Sequence, residues 1–405
     1  MSASPSTAVT APRPFEGVRV IDITHVLAGP FATYQLAVHG AEVIKVESPT
    51  EPDMVRILGG DSADNDRRMG TAFLVQSSNK RALTLDLKQP EGQAVLKKLV
   101  VTADVLVENY RPGALAALGL GYEDLAAINP KLIYASFSAF GQDGPRGEMT
   151  AYDHVIQASS GIMATTGTAE MHPIKFGSPV IDYATGTTGA FALAAALFQR
   201  ERTGRGQRID MAMLDVALVM MASHVTEYTR TGHHPEPHGN FQGFVTSSCW
   251  PTKDGLLMLG ASNIAQQRRF WAALGREDIA KATHAERIAD RAREQQVATD
   301  ILLTRTADEW EAFFQSRHVP AARVRRLEES LADPHLDHRG VLHRHEAAPG
   351  VGGGFTVPVA AFKLAHGSAR VDAPPPRLGQ DTDAVLGELG YDAAAIAALR
   401  AKSVV

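Results

Sequence analysis

Of the side chains able to act chemically, Asp182 has the most unusual setting. It follows the short run Ser178-Pro179-Val180-Ile181 and opens a stretch of small residues that includes Ala184, Thr185 and Gly186. A carboxylate in that place has two readings. As a helix cap it would accept from the free N–H groups of the first turn, and the spacing predicts Asp182 at the N-cap position. As a nucleophile it would have to be held against an activated carbonyl and partly stripped of water. On local chemistry alone the capping role is the stronger reading, and both stay open.

Two polar clusters flank strand-like segments. Asn79, Lys80 and Arg81 precede residues 83–87, while Asn109, Tyr110 and Arg111 follow residues 105–107. Either could hold phosphates. Ligands of an open α/β sheet collect at the carboxyl ends of its strands, where the second cluster falls. Arg111 then offers a forked phosphate contact and Tyr110 a ring for stacking on a base. Taken singly, such charges are more often solvated surface. The turn after the first strand-like run, Thr24-His25-Val26-Leu27-Ala28-Gly29-Pro30, carries one glycine where a dinucleotide fingerprint needs three. A nicotinamide dehydrogenase is therefore disfavoured, although the following helix still presents free N–H groups to a ligand.

The elements that must position these residues alternate in type. Strand-like runs at 18–23, 43–47, 81–87, 105–108 and 132–137 are separated by helical patterns at 31–39 and 92–101. This rhythm predicts a parallel sheet covered by helices, a Rossmann-like large domain. Gly40 closes the first helix and Pro90 opens a later one. A helical run from 184 to 200 ends at Thr203-Gly204-Arg205-Gly206, with a strand at 207–213 and a helix at 214–229 beyond it. Residues 231–242 mix His233, His234 and His238 with Gly and Pro, which excludes helix and central strand there. The reading places a flexible tail at 1–14, the N-terminal part of the large domain at 15–225, a smaller α+β domain at 226–335, and a return segment at 336–405.

A chain of 405 residues exceeds one ordinary core and suits two domains. Its net charge of -5 disfavours nucleic acid as a partner, so anionic ligands need a local cluster of Lys and Arg. The single cysteine, Cys249, forms no internal disulfide and suits a reducing compartment, with the cytoplasm as the expected location. Residues 1–14 lack the pattern of a signal peptide, and apolar stretches such as 189–198 are too short for a bilayer, so no membrane partner is expected. The His-rich stretches prompt a metal hydrolase as a rival, but Pro235 and Pro237 break any helix that would align His234 with His238. No metal is expected.

The chain resembles the class III CoA-transferases, the family that includes formyl-CoA and carnitine CoA-transferases. The resemblance runs from Phe15-Glu16-Gly17 to Leu386-Gly387-Glu388. It rests on Ala28-Gly29-Pro30, Asn79-Lys80-Arg81, Glu108-Asn109-Tyr110-Arg111-Pro112-Gly113, Tyr152-Asp153, Ser160-Gly161 and Thr203-Gly204-Arg205-Gly206-Gln207. It implies that Asp182 is the catalytic aspartate and that two ring-shaped chains interlock as a homodimer. It also implies that CoA lies against Val26, Leu27 and Ala28, against Asn79, Lys80 and Arg81, and against Asn109, Tyr110 and Arg111, with Tyr152 and Asp153 near the thioester. Gly239 and Asn240 would belong to a loop over the active site.

The implied substrates are an acyl-CoA and a small carboxylic acid, and no cofactor is expected beyond the CoA thioester itself. Ala117 stands where relatives often have Arg, so Arg111 is expected to replace one phosphate contact. Leu27, in place of the glutamine of formyl-type enzymes, disfavours formyl or oxalyl transfer. An acyl-CoA racemase of the same fold is the alternative. It would need a His-Asp pair where this chain has Tyr152-Asp153, with His154 displaced by two positions.

Overall fold

The computed structural model describes residues 11–405. The expected tail at 1–14 falls outside that range up to residue 10. Arg13, by contrast, is tied into the fold through a 2.7 Å ion pair to Asp372.

Six parallel strands form the central sheet: β1 (Arg19–Asp22), β2 (Glu42–Glu47), β3 (Lys80–Thr84), β4 (Val105–Glu108), β5 (Ile133–Ser138) and β6 (Gln207–Ala212), in the order β3-β2-β1-β4-β5-β6. Every pairing is parallel. Strands β2, β4 and β5 are buried along nearly all of their length, because both faces of the sheet are covered. Ile21, Ile44, Leu83 and Leu106 point into one core with α2 (Pro90–Thr102) and the C-terminal residues Val385, Leu386 and Leu399. Val20, Val43, Val105 and Ile133 point into the other, against α1 (Ala28–Val38) and residues of a long late helix such as Leu193.

The strand order reverses between β1 and β4. Crossovers leave β1 toward one edge of the sheet and β4 toward the other, so the turns that follow these two strands splay apart and open a crevice. The sequence places Val26, Leu27 and Ala28 after β1 and Asn109 after β4, on the two sides of that crevice.

Two later helices complete the positioning of the site, α3 (Asp153–Ser160) and α4 (Val180–Thr203). By length and composition α4 could cross a bilayer. One face of it instead packs into the protein through Ile181, Thr185, Gly186, Gly189 and Leu193. A Cβ on Gly186 would stand 2.7 Å from the Ala28 carbonyl oxygen, and one on Gly189 would stand 2.3 Å from Phe137. The two glycines let α4 lie directly on α1 and on β5. The expected helix at 214–229 is two helices, Met213–Met220 and Ala222–Thr231.

The described chain divides into two compact units. One comprises residues up to Ser160, Phe176–Thr226 and Leu336–Val405; the other comprises Gly161–Lys175 and Glu227–His335. Assignment of Gly161–Lys175 to the second unit differs from the expected continuous large domain to residue 225. The segment is tied there by a main-chain bond, Gly239 N–H to the Gly167 carbonyl at 2.6 Å. The second unit carries an antiparallel sheet, β7 (Cys249–Pro251), β8 (Leu256–Leu259) and β9 (Ala321–Arg323), and a core of Trp271, Trp310, Phe270 and Phe314.

Candidate active site

The two turns at the sheet's switch point are joined by side-chain bonds to main chain. The Asn109 amide accepts from His25 N–H and donates to the His25 carbonyl, each at 2.8 Å. Tyr110 is half-buried; its ring meets His25 edge-on at 5.4 Å and its hydroxyl lies 3.2 Å from His25 Nε2. The tyrosine expected to stack on a base is thus already engaged with the neighbouring turn.

Asp182 lies in the first turn of α4. The N-cap is Pro179, not Asp182 as the spacing predicts, and Pro179 has no side-chain acceptor to offer. Asp153, at the start of α3, supplies it: Asp153 Oδ2 accepts from the N–H groups of Ile181 at 2.7 Å and Asp182 at 3.0 Å. A cap contributed from another helix leaves the Asp182 carboxylate with no hydrogen-bond partner among the described residues. Burial, and then the negative charge of Asp153, push the Asp182 carboxyl up to about 7. A carboxylate that is desolvated, repelled and unpaired retains its nucleophilicity.

Asp182 lines a cavity of about 410 Å³ together with Val26, Leu27, Ala28, Asn109, Tyr152 and Ser138. Five residues expected at a CoA site therefore share one cavity with Asp182: Val26, Leu27, Ala28, Asn109 and Tyr152. Sequence reasoning did not anticipate His25, Pro52, Met54, Phe137 or Met213 in the same wall. These are apolar or loop residues with no motif to mark them. Tyr152 is 57 % exposed and open to a ligand.

The remaining candidates lie elsewhere. Lys80 is buried, pairing with Asp22 at 2.9 Å and donating to the Pro30 carbonyl and Thr33. Arg81 pairs with Glu42 and Glu388, and Asn79 holds the main chain of Arg370, Asp372 and Ala373. The side chains of this cluster, expected to meet phosphates, are spent within the fold because β3 starts here, at the amino ends of the strands.

Arg111 is exposed and lines a second cavity of about 320 Å³ with Arg208, Glu108 and Ser136. Burial pushes the Glu108 carboxyl up to about 7 against its bonds to Ser136 and to Tyr110 N–H. Gly239 and Asn240 belong to the second unit. Gly239 has φ of 57°, and the Asn240 carbonyl accepts from Cys249 N–H at 3.0 Å.

A doubly wound sheet thus carries, at its switch point, a cavity lined by a partly buried aspartate with no hydrogen-bond partner among the described residues. The chain belongs to CoA-transferase family III, whose sequence profile matches residues 15–382. It is 37 % identical over 93 % of its length to the succinate–glutarate CoA-transferase of Agrobacterium fabrum, covering 96 % of that protein. It is 34 % identical over 97 % of its length to the human succinyl-CoA:glutarate CoA-transferase, covering 90 % of that protein. Among solved structures, a CAIB/BAIF family protein from Brucella suis superposes with a TM-score of 0.81 at 31 % identity, over 93 % of this chain and all of that one. The chain is an enzyme that transfers CoA.

Proposed function

We propose that the enzyme moves CoA from a dicarboxylic acyl-CoA such as succinyl-CoA to a free dicarboxylic acid such as glutarate, through a covalent intermediate on Asp182. The unpaired Asp182 carboxylate in the cavity at the switch point is the observation that carries this reading. The substrates follow the names of relatives at 34–37 % identity over most of the chain.

An Asp182 oxygen attacks the thioester carbonyl carbon, the C–S bond breaks, and CoA leaves as thiolate with the bonding pair. The resulting mixed anhydride is attacked by that thiolate at the aspartyl carbonyl, which releases the donor acid and leaves an aspartyl-CoA thioester. The acceptor carboxylate attacks this thioester, forming a second anhydride and freeing the thiolate again. The thiolate then attacks the acceptor's acyl carbon, yielding the new acyl-CoA and the Asp182 carboxylate. One thioester replaces another, so the exchange needs no metal or redox cofactor.

On this reading transfer is favoured over racemisation by Tyr152, which lines the cavity with Asp182 where a racemase would need the histidine of its proton-transfer pair. The working form on this reading is an interlocked homodimer in the cytoplasm. Phe191 and Phe198 on α4 and Val219 in the following helix are 74 %, 59 % and 74 % exposed, an apolar face that a second protomer would cover.

The test incubates the enzyme with succinyl-CoA and glutarate, follows glutaryl-CoA by mass spectrometry, and traps the intermediate with hydroxylamine. Asp182→Ala is expected to abolish both product and trapped label. Turnover that survives the substitution, or label on another residue, would overturn the mechanism.

A further inference from the structure

We infer that Asp53 and Gln76 are positioning residues, which together clamp the turn after β1 in a conformation its own sequence disfavours. The inference rests on the reading above, in which that turn borders the reacting thioester.

Among the described residues, Thr24, His25 and Val26 make no main-chain-to-main-chain hydrogen bond. From Thr24 to Val26 each main-chain polar group is held by a side chain from another part of the sequence or from β1 itself. Thr24 N–H donates to Asp22 Oδ1 at 3.0 Å, and the Thr24 carbonyl accepts from Lys45 Nζ at 2.7 Å. Asn109 takes both groups of His25. Val26 N–H donates to both carboxylate oxygens of Asp53, at 3.1 and 3.2 Å, and the Val26 carbonyl accepts from Gln76 Nε2 at 2.5 Å.

Val26 has φ of 68°. A β-branched residue avoids that region because its Cβ crowds the adjacent carbonyl, so the conformation persists only where the surroundings impose it. Both imposing side chains are 1 % exposed. Asp53 is itself fixed by Lys45 at 3.3 Å, and Lys45 reaches back to the Thr24 carbonyl of the same turn. The charge network and the turn thus form one closed unit. The strained peptide sets the direction of the next two residues, Leu27 and Ala28, whose N–H groups have no acceptor among the described residues and which line the cavity with Asp182. Rigid placement of such donors is worth most where charge develops on an acyl oxygen.

The experiment compares Asp53→Asn and Gln76→Met, each in the parent and in a Val26→Gly background, using succinyl-CoA and glutarate. Asparagine loses the two-oxygen acceptor, and methionine loses the donor at similar volume. In the parent each substitution is expected to lower kcat by about ten- to hundred-fold, the scale of a misplaced reacting geometry. In the Val26→Gly background the same substitutions should reduce the rate by less than about three-fold, because glycine adopts positive φ without a clamp. Equal factors in both backgrounds would reduce the two residues to general supports of the fold and overturn the inference.

Hydrogen exchange of the peptide spanning residues 24–29, measured without substrate, decides the clamp independently of activity. Faster exchange there in both variants supports it, and unchanged exchange overturns it. A parent that binds succinyl-CoA yet transfers to no acid would instead overturn the functional reading. Gln76→Met also serves where Asp53→Asn does not fold.

Discussion

One carboxylate oxygen of Asp153 holds two successive amides of α4, those of Ile181 and Asp182, at 2.7 and 3.0 Å. Asp153 therefore acts on Asp182 in two ways. It satisfies the helix terminus that Asp182 would otherwise have to cap, and it places a like charge beside the Asp182 carboxyl. These effects separate experimentally.

Because burial and Asp153 hold the Asp182 carboxyl at about 7, transfer should depend on pH near neutrality. On the proposed mechanism Asp182 attacks in its ionised form, so kcat/KM for the acyl-CoA is expected to rise as pH increases through about 7 and then level off. Asp153→Asn retains an acceptor for the amides but removes the charge. Its acidic limb should move to lower pH. Asp153→Ala also loses the cap and is expected to destabilise the helix start by about 1 kcal/mol. Parallel pH–rate profiles and thermal melts of the three proteins check this, and an unmoved limb in Asp153→Asn would exclude the charge effect.

The same raised group makes stability depend on pH. Below about pH 3.8, the ordinary value, Asp182 is protonated in both folded and unfolded chains and contributes no difference. As pH rises from there to about 7 the unfolded chain ionises while the folded one retains its proton, so stability is progressively lost. Asp182→Asn, which cannot ionise, should match the parent in acid and exceed it in melting temperature above pH 7. Melting temperatures taken across this range check the crossing.

Arg111 is exposed beside Arg208 and makes no ion pair among the described residues. Arg111→Ala is expected to raise the KM of every acyl-CoA by about ten-fold, equivalent to about 1.4 kcal/mol. The effect should shrink for a donor truncated to the pantetheine thioester. Equal losses with full-length and truncated donors would remove Arg111 from the nucleotide site.

Gly239 has φ of 57°, and a Cβ there would stand 2.8 Å from Thr168 Cγ2. Gly239→Val should therefore displace the loop that includes Asn240, and if that loop shields the intermediate of the proposed mechanism, water gains access to it. The expected outcome is a higher ratio of acyl-CoA hydrolysis to acyl transfer with acyl-CoA binding nearly intact. Free thiol and product acyl-CoA measured in one reaction give the ratio; no change in a folded variant would make the loop a connector.

The parallel sheet was legible from the sequence alone, because runs such as 43–47 and 105–108 are rich in Val, Ile and Leu and alternate with helical patterns, as strands covered on both faces require. The carboxyl-end placement of Asn109 followed from the same logic. So did the family, through motifs spread along the whole chain.

What each charge does was settled only by tertiary structure. Lys80 and Arg111 look alike as basic residues beside strands, yet one is buried against Asp22 and the other is exposed, a difference set by which end of its strand each occupies. Asp182 likewise reads locally as a cap. It is released from that role by Asp153, a residue 29 positions earlier whose partnership arises only when α3 and α4 pack. The turn at Val26 is the extreme case: its conformation opposes its own residue type and is imposed by Asp53 and Gln76, which no local pattern connects to it. Local preferences govern elements whose bonds are internal. Where the bonds come from distant side chains, the fold decides.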